Sequence, residues 1–476
     1  MFASHPRIIM TFLFLLFLSL MPPTIPARAE ENSGQYHQYL PLIKAPAPPQ
    51  IFGIDFSIYG GEAEFRYGIE ALPKWARAGD VLWSKVEPVR GGGYDWSSQT
   101  LVDANIRRLR AAGIEPMMII QQTPEWAQQV PGRRCSPPKP EYIDDLTRFV
   151  EATIQRYSQG DLEVRYWEFW NEPDFAAAGT RDDQGIGCWG DPAKPDNGGG
   201  YYGEVLRRVY PVIKAANPHA VVFGGSLASF TVGDSRNTKF LRGMLTTAPN
   251  SFDALSFHAY GEYSYADILR IKTVRYRGIL AEFGISKRPL VATEVAATCL
   301  TEEISSCQPN YDAWILRQAN YAARIYAQAS ALELMGAFWF TFSSPNPGYS
   351  FSHLVDNRDG EIVPRPAYYA FRNSARLLAD ARYVGPPLGE PSPADQEDVQ
   401  TLVFRKPAST LYVMWVPTID YPKTVTALNV PVGAIVACTQ KLELPNLNTY
   451  DCSDADEDGV IYVVINSLPQ YVEVFD

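Results

Sequence analysis

Histidine and basic side chains are scarce in this chain of 476 residues. It has only 5 His, and 42 Lys and Arg stand against 53 Asp and Glu, which gives a net charge of −11 at pH 7. Such an acidic balance argues against nucleic acid or an anionic membrane as a partner. No Cys-x-x-Cys pair occurs, so the sequence predicts neither a metal site nor a cofactor. The five histidines stand far apart, at His5, His37, His219, His258 and His353.

Apolar runs that could cross a bilayer are also missing, and the nearest candidate lies at the N-terminus. Arg7 precedes an apolar run over residues 8–21, which is short for a membrane span, and Ala27-Arg28-Ala29 follows it. This order predicts a secretory signal peptide over residues 1–29, cleaved after Ala29. The polar and then Pro-rich residues 30–50 predict a flexible linker. We therefore expect a secreted or periplasmic protein without a membrane anchor.

Cysteines are few but even in number, which suggests disulfides in an exported protein. Pairing of neighbours along the chain would join Cys135 to Cys188 and would place two loops together on one face. Free buried thiols are the alternative. The other two neighbouring pairs are Cys299 with Cys307 and Cys438 with Cys452.

Strand-like and helical segments alternate through residues 51–380. Eight strands separated and followed by helical segments predict an α/β fold of the closed (β/α)8 type, the TIM barrel. A doubly wound open sheet is the alternative, but no Gly-x-Gly-x-x-Gly motif supports it. The strand-like runs cover residues 51–56, 74–78, 114–121, 166–172, 220–225, 252–258, 289–294 and 335–342. The helical runs cover residues 61–72, 102–112, 142–157, 202–216, 268–283, 311–332 and 366–378.

Helical periodicity disappears in residues 381–476, where Pro-rich interruptions separate short strand-like runs. These predict a small all-β domain, a sandwich. Asp454–Gly459 matches the first half of a calcium loop, but Ile465 occupies the position where a bidentate Glu is needed. A solvated hairpin turn is therefore the other interpretation. The predicted strands cover residues 401–405, 410–416, 424–428, 434–438, 460–465 and 471–474.

Two glutamates close predicted barrel strands. Glu172 follows strand four in Trp170-Asn171-Glu172-Pro173, and Glu294 ends strand seven. In a closed barrel, the carboxyl ends of all strands face one cleft. Two carboxyl groups about 5–5.5 Å apart suit retaining hydrolysis of a glycoside. We therefore expect Glu294 to be the nucleophile and Glu172 the general acid and base.

Neighbouring polar residues fit the same chemistry. Asn171 could bind the sugar 2-OH, and Tyr260 could donate a hydrogen bond to Glu294. Arg77 could keep Glu294 ionised, although a surface or loop contact is the alternative. Glu168, in the middle of strand four, is expected to be a paired structural acid.

Aromatic residues could line the cleft. Trp339 on strand eight could form the floor beneath the sugar. Trp126 and Trp189 could line outer subsites, with core or loop packing as the alternative, and Tyr263 is equally undecided. His258 is expected to bind substrate or to orient its neighbours.

Together, these strand-end residues resemble those of clan A glycoside hydrolases. Members are (β/α)8 retaining enzymes with the acid/base in Asn-Glu-Pro on strand four and a nucleophilic Glu ending strand seven. The resemblance covers residues 51–372, and the appended β domain is similar to that of the β-xylosidase/α-L-iduronidase branch. Gln121-Gln122 stand where cellulase-like members usually carry a His, which argues against an endocellulase. The other matching positions are Arg77, His258, Tyr260 and Trp339.

The resemblance implies a secreted glycosidase acting on poly- or oligosaccharides. A catalytically silent carbohydrate-binding relative is the alternative class, and an endo-glycanase is the alternative to an exo-glycosidase. Intact acids at both positions favour the enzyme. The sequence does not reveal the sugar, its linkage or the oligomeric state.

Overall fold

Eight parallel strands close into a barrel in which each strand pairs with the next and β8 returns to β1. The (β/α)8 prediction is thus confirmed, and the open sheet is excluded. The computed structural model describes residues 51–56, 61–177, 187–228, 235–261, 267–297, 311–344, 352–358, 360–389, 399–416 and 424–476. The barrel strands are β1 (Phe52–Asp55), β2 (Trp75–Leu82), β3 (Glu115–Gln121), β4 (Tyr166–Phe169), β5 (Val221–Leu227), β6 (Ala254–Gly261), β7 (Leu290–Ala297) and β8 (Ala337–Trp339).

Amphipathic helices cover the outside of the barrel. In Ile143–Arg156, the buried residues Leu146, Phe149, Val150 and Ile154 recur at helical spacing. A helix after β5, Arg236–Thr247, is absent from the sequence prediction because its first turn is polar. The remaining longer helices are Glu62–Glu70, Thr100–Ala111, Gly199–Ala216, Ile268–Glu282, Tyr311–Ala331 and Pro366–Leu377.

Inward and outward side chains alternate along β4, as in any barrel strand. Tyr166 points into an apolar layer inside the barrel, whereas Trp167 packs outward against Tyr157 of a covering helix. Glu168 is the next inward residue and lies closer to the carboxyl end. The apolar layer below it consists of Trp75, Met117, Tyr166, Phe223, Ala254, Val291 and Phe338.

Strand β2 is longer than predicted and contains a bulge. The pairing with β3 shifts between Arg77 and Gly79, and Gly79 has a φ of 140°. This φ lies in the region that glycine adopts at little cost. A bulge bends its strand and changes the direction of nearby side chains. The bulge therefore helps to set the direction of the Arg77 side chain beside the barrel cleft.

Antiparallel sheets follow the barrel, as the sequence predicted. A six-stranded sheet has the order β11-β12-β13-β18-β15-β16, and β14 pairs with β17. The hairpin β9-β10 (Val355–Arg358 and Glu361–Pro364) precedes the last helix. Strands β9, β10, β11 and β16 are additions to the prediction. The sheet strands are β11 (Arg382–Tyr383), β12 (Gln400–Lys406), β13 (Ser409–Trp415), β14 (Thr424–Asn429), β15 (Val436–Gln440), β16 (Asn448–Asp451), β17 (Val460–Ile465) and β18 (Gln470–Phe475).

The central strands β13 and β18 of the six-stranded sheet are largely buried on both faces. Leu411 and Val413 of β13 belong to the core shared with the barrel, whereas Met414 packs toward β17 in a separate core. The Tyr471 hydroxyl donates to the Ala323 carbonyl at 2.7 Å, which joins β18 to a barrel helix. The sheets therefore form a sandwich fixed to the barrel by a continuous apolar core.

Two of the predicted disulfides are present, Cys135–Cys188 and Cys438–Cys452. The third predicted pair, Cys299 and Cys307, lies outside the described residues. Cys188 belongs to a short segment held against the chain after β4, since Gly187 N–H donates to Asn171 O at 2.7 Å. Among the described residues, no helix has the length and apolar character needed to span a membrane.

We expect replacement of Cys135 and Cys188 together by Ser to lower the free energy of unfolding by about 2–4 kcal/mol, because the crosslink restricts the unfolded chain. Urea titration of the oxidised protein measures this loss. The matched control replaces Cys438 and Cys452, whose crosslink spans 14 residues rather than 53. An equal or larger loss in the control would contradict the dependence on loop length.

Candidate active site

The chain makes a tight, unusual turn where β4 ends. Trp170 and Glu172 have φ values of 70° and 45°, in the left-handed region that costs non-glycine residues about 1–3 kcal/mol each. Ser226, next to the last residue of β5, has a φ of 42°, and its carbonyl accepts a hydrogen bond from Glu172 N–H at 3.0 Å. Such backbone conformations concentrate at functional sites. Here they direct a carboxyl group into the barrel mouth.

The two glutamates predicted from the sequence lie together in this structure. A carboxylate oxygen of Glu172 lies within 4.8 Å of one of Glu294, and both residues are buried. His258 stands beside both, with Nδ1 2.8 Å from Glu172 Oε1 and 3.4 Å from Glu294 Oε2. A bulge in the β6–β7 pairing, between Phe257 and His258, sets this imidazole opposite Glu294.

Arg77 is the centre of the polar network. Its Nη1 contacts Glu294 Oε1, and its Nη2 donates to Glu168 Oε2 at 2.9 Å and to Asn171 Oδ1 at 2.6 Å. A weaker ion pair joins Nη1 to Asp55 Oδ2 at 3.7 Å. Only 4% of Arg77 is exposed, so the surface-contact alternative does not hold.

Burial and charge act against each other at Glu294. Burial raises the pKa of this carboxyl group, while Arg77 and the hydrogen bond from the Tyr260 hydroxyl favour its ionised form. Burial lowers the pKa of His258 to about 4, so this imidazole is neutral near pH 7. Arg77 is therefore the cation that balances Glu294 at that pH. Burial also raises the pKa of Tyr260, which keeps its hydroxyl a donor.

Glu168 supports the network from below. It is fully buried, and it accepts hydrogen bonds from Arg77 and, at 2.8 Å, from Thr293 Oγ1. A paired structural acid was expected here, and the structure supplies its partners. An unpaired charge at this depth would be strongly destabilising, so Glu168 and Arg77 depend on each other.

Two buried charged residues behind Glu172 have no assigned role in the sequence analysis. Asp174 is fully buried, and its Oδ1 accepts a hydrogen bond from Ala228 N–H at 3.0 Å. Burial, and then repulsion from Glu172, raise the pKa of Asp174 to about 7. Lys272 donates to the carbonyls of Ala228 and His258, at 2.6 and 3.0 Å. Asp174 follows the Asn-Glu-Pro motif directly, whereas Lys272 gave no signal because it sits within a helix.

Asp55 at the end of β1 is a further acid that sequence reasoning missed. Its Oδ1 accepts a hydrogen bond from Thr341 Oγ1 at 3.1 Å. Burial raises its pKa to about 6, against the opposing effect of Arg77. The available signal was its position, since an acid ends a predicted barrel strand.

The predicted aromatic platforms lie close to the site but are well packed. Trp339 has no exposed surface, and its Nε1 donates to Ser352 O at 2.8 Å. Trp126 is half-buried, and its Nε1 donates to Glu87 O at 3.2 Å. Trp189 is buried against Trp170, at 4.8 Å between ring centroids. Their contacts with sugar stay predictions, and the burial of Trp339 does not favour its predicted role as a platform. Tyr263 lies outside the described residues.

The acidic turn in the C-terminal domain is organised by the backbone. Asp454 Oδ2 accepts hydrogen bonds from Gly433 and Gly459 N–H at 3.0 and 2.9 Å, and its Oδ1 accepts from Asp458 N–H at 3.2 Å. These three bonds occupy the buried carboxylate as in a hairpin turn. The observation favours the turn over the calcium loop.

Glu172, His258 and Glu294 also have a spacing that could suit a metal ion. However, the Glu294 oxygens already accept hydrogen bonds from Arg77 and Tyr260. A divalent cation would compete with the guanidinium for the same oxygen. The donor set therefore fits a paired carboxylate better than a metal ligand.

We expect Asp174→Asn to flatten the pH dependence of stability between about pH 4 and 7. The native pKa of Asp174 is raised to about 7 from an ordinary value of 3.8, so the native state holds a proton that the unfolded state has released. Wild-type stability should therefore fall as pH rises through this window. Urea unfolding of both proteins at pH 4, 5.5 and 7 measures the difference, and parallel curves would contradict the assignment.

Comparisons with known proteins find similarity to this chain only among solved structures. No protein-family model matches the chain, and no curated protein matches it. A family 39 glycoside hydrolase from the gut symbiont Bacteroides cellulosilyticus WH2 is 18% identical, with a TM-score of 0.65, over 90% of this chain and 81% of that one.

Two further solved structures are similar. A monomeric beta-xylosidase from Caulobacter crescentus CB15 is 17% identical, with a TM-score of 0.58, over 90% of this chain and 96% of that one. A GH39 enzyme from Xanthomonas axonopodis pv. citri is 18% identical, with a TM-score of 0.56, over 90% and 95%. This chain thus has the (β/α)8 fold of the clan A glycoside hydrolases.

Proposed function

We propose that this protein is a secreted retaining glycoside hydrolase that cleaves O-glycosidic bonds in poly- or oligosaccharides. The main observation behind this proposal is that a carboxylate oxygen of Glu172 lies within 4.8 Å of one of Glu294. Retaining enzymes hold their two carboxyl groups about 5–5.5 Å apart, whereas inverting enzymes need about 6.5–9.5 Å to admit a water molecule. This close approach of two carboxylate oxygens is in keeping with the shorter, retaining spacing and supports direct attack by a carboxylate.

In the first step, Glu294 attacks the anomeric carbon and forms a glycosyl-enzyme. Arg77 and Tyr260 favour the ionised carboxylate and oppose, without cancelling, the rise in its pKa that burial causes. Glu172 gives its proton to the leaving oxygen as the glycosidic bond breaks. This step requires a protonated carboxyl group at Glu172.

In the second step, Glu172 takes a proton from water, and the resulting hydroxide displaces Glu294 from the sugar. His258 is neutral at this pH and lies 2.8 Å from Glu172, so it orients the acid without adding a charge. Arg77 holds the amide of Asn171 in one orientation beside the cleft. Asn171 is thereby positioned to bind the 2-OH of the sugar, a contact that strengthens at the transition state.

Several observations support this assignment over a silent carbohydrate-binding relative. A binding protein needs neither a buried pair of acids nor the guanidinium that balances it, and both cost folding free energy. The similar structures include a beta-xylosidase and family 39 glycoside hydrolases. Two disulfides are compatible with an oxidising compartment, as the predicted signal peptide requires. An endo-glycanase is the second candidate within the same chemistry.

We expect Glu294→Ala to reduce turnover of nitrophenyl glycosides to background, because no nucleophile remains. Added azide should enter the vacated space and give a glycosyl azide of inverted configuration, identified by NMR. The matched variant is Glu172→Ala, in which azide should instead attack the glycosyl-enzyme and give retained configuration. If azide fails to rescue Glu294→Ala while the variant stays folded, Glu294 is not the nucleophile.

We expect Glu172→Gln to lower kcat/KM by about 10²–10⁴-fold on substrates with poor leaving groups, because general acid catalysis is lost. The loss in the first step should be small with a dinitrophenyl leaving group, which departs without a proton. Pre-steady-state bursts on both substrate types separate this step from the hydrolysis of the glycosyl-enzyme. An equal loss for the two leaving groups would refute the acid role.

A further inference from the structure

Asp55 offers a partly exposed carboxylate to the barrel mouth. Its side chain is 22% exposed, compared with 6% for Glu294 and none for Glu168. Thr341 donates to Oδ1, whereas the partner recorded for Oδ2 is Arg77 Nη1 at 3.7 Å, longer than a hydrogen bond. A partly exposed carboxylate with one oxygen not fully hydrogen-bonded can therefore accept a bond from a ligand beside Glu294.

The guanidinium of Arg77 places this oxygen close to the reacting centre. The same Nη1 atom contacts Glu294 Oε1 and lies 3.7 Å from Asp55 Oδ2. The two acids thus flank one nitrogen atom, with Asp55 at the end of β1 and Glu294 within β7. A sugar ring presented to Glu294 would therefore lie close to Asp55.

Negative charge exceeds positive charge around this position. Among the described residues, Arg77 is the guanidinium that contacts the acids, and its donors already serve Glu294, Glu168 and Asn171. Lys272 donates to two backbone carbonyls. The acids in this network are Asp55, Asp80, Glu168, Glu172 and Glu294.

The cations recorded beside these acids are already engaged. A carboxylate on the sugar would meet several acids, while Arg77 serves Glu294, Glu168 and Asn171 and Lys272 donates to backbone carbonyls. A neutral sugar meets no such repulsion, and its hydroxyl groups match the acceptor on Asp55.

We propose that Asp55 is a substrate-binding residue that accepts a hydrogen bond from a hydroxyl of the sugar attacked by Glu294, so that the site takes neutral sugars and rejects uronates. This inference rests on the proposed glycosidase function. It adds a residue and a substrate class to that function.

The experiment compares wild type with Asp55→Ala on nitrophenyl xylosides, glucosides, galactosides and glucuronides of both anomers. We expect wild type to hydrolyse at least one neutral glycoside and to leave the glucuronides untouched. Asp55→Ala should lose about 10–100-fold in kcat/KM on the preferred substrate, as for a hydrogen bond to a charged group. A monodeoxy series of that substrate then locates the contact. Wild type should discriminate against one deoxy analogue, and Asp55→Ala should lose that discrimination.

Asp80→Asn is the charge-matched control. Asp80 also interacts with Arg77, but its Oδ2 already accepts a hydrogen bond from Gln121 at 3.0 Å. We expect this variant to keep the discrimination against the deoxy analogue. If it loses the discrimination as fully as Asp55→Ala, the effect arises from the charge balance at Arg77 and the direct contact is refuted.

The outcomes separate this inference from the proposed function. Failure of the wild type to hydrolyse any glycoside would defeat the glycosidase assignment. Hydrolysis of neutral glycosides with unchanged deoxy discrimination in a folded Asp55→Ala variant would defeat the role of Asp55 alone. Preferred hydrolysis of a glucuronide would overturn the substrate class. Thermal unfolding of each variant establishes that it is folded.

Discussion

The buried guanidinium of Arg77 is the interaction on which the barrel mouth depends. It joins β1, β2, β4 and β7 through Asp55, Glu168, Asn171 and Glu294. Without this cation, several carboxyl groups would share one poorly hydrated space, where each would either take up a proton or repel its neighbours. The same charge that permits the fold also favours the ionised form of Glu294, the nucleophile of the proposed mechanism. Stability and chemistry therefore depend on the same contacts.

Much of the site could be predicted from sequence because a barrel converts strand order into spatial proximity. Once eight strands were recognised, acids near the carboxyl ends of strands four and seven had to face one cleft. Both predicted strand ends were three residues off, since β4 ends at Phe169 and β7 continues to Ala297, but Glu172 and Glu294 still lie toward the same end of the barrel. Arg77, Tyr260 and His258 followed from the same strand ends. Periodicity could not reveal the bulge in β2, since Gly79 is a local departure from the pattern.

Asp174, Asp55 and Lys272 escaped prediction for a different reason. Each matters through what surrounds it, and burial of a polar side chain is a property of the packed molecule. Asp174 directly follows the Asn-Glu-Pro motif in the sequence. Its structural importance becomes clear only from its full burial and its hydrogen bond from Ala228 N–H. The helix Arg236–Thr247 was missed because its signal begins after a polar first turn. The sequence thus predicts which residues lie close together more readily than it predicts how deeply each side chain is buried.

The Cys135–Cys188 bridge ties the loop after β3 to the segment that holds the end of the Asn-Glu-Pro turn. Gly187 N–H bonds to Asn171 O, and Trp189 N–H bonds to Pro173 O, on either side of Cys188. The backbone that aims Glu172 is therefore braced by a bond that forms under oxidising conditions and is rare in a reducing cytoplasm. A chain held in the cytoplasm would contain every residue of the site but not this brace. The bridge thus makes the final shape of the barrel mouth depend on the compartment in which the chain matures.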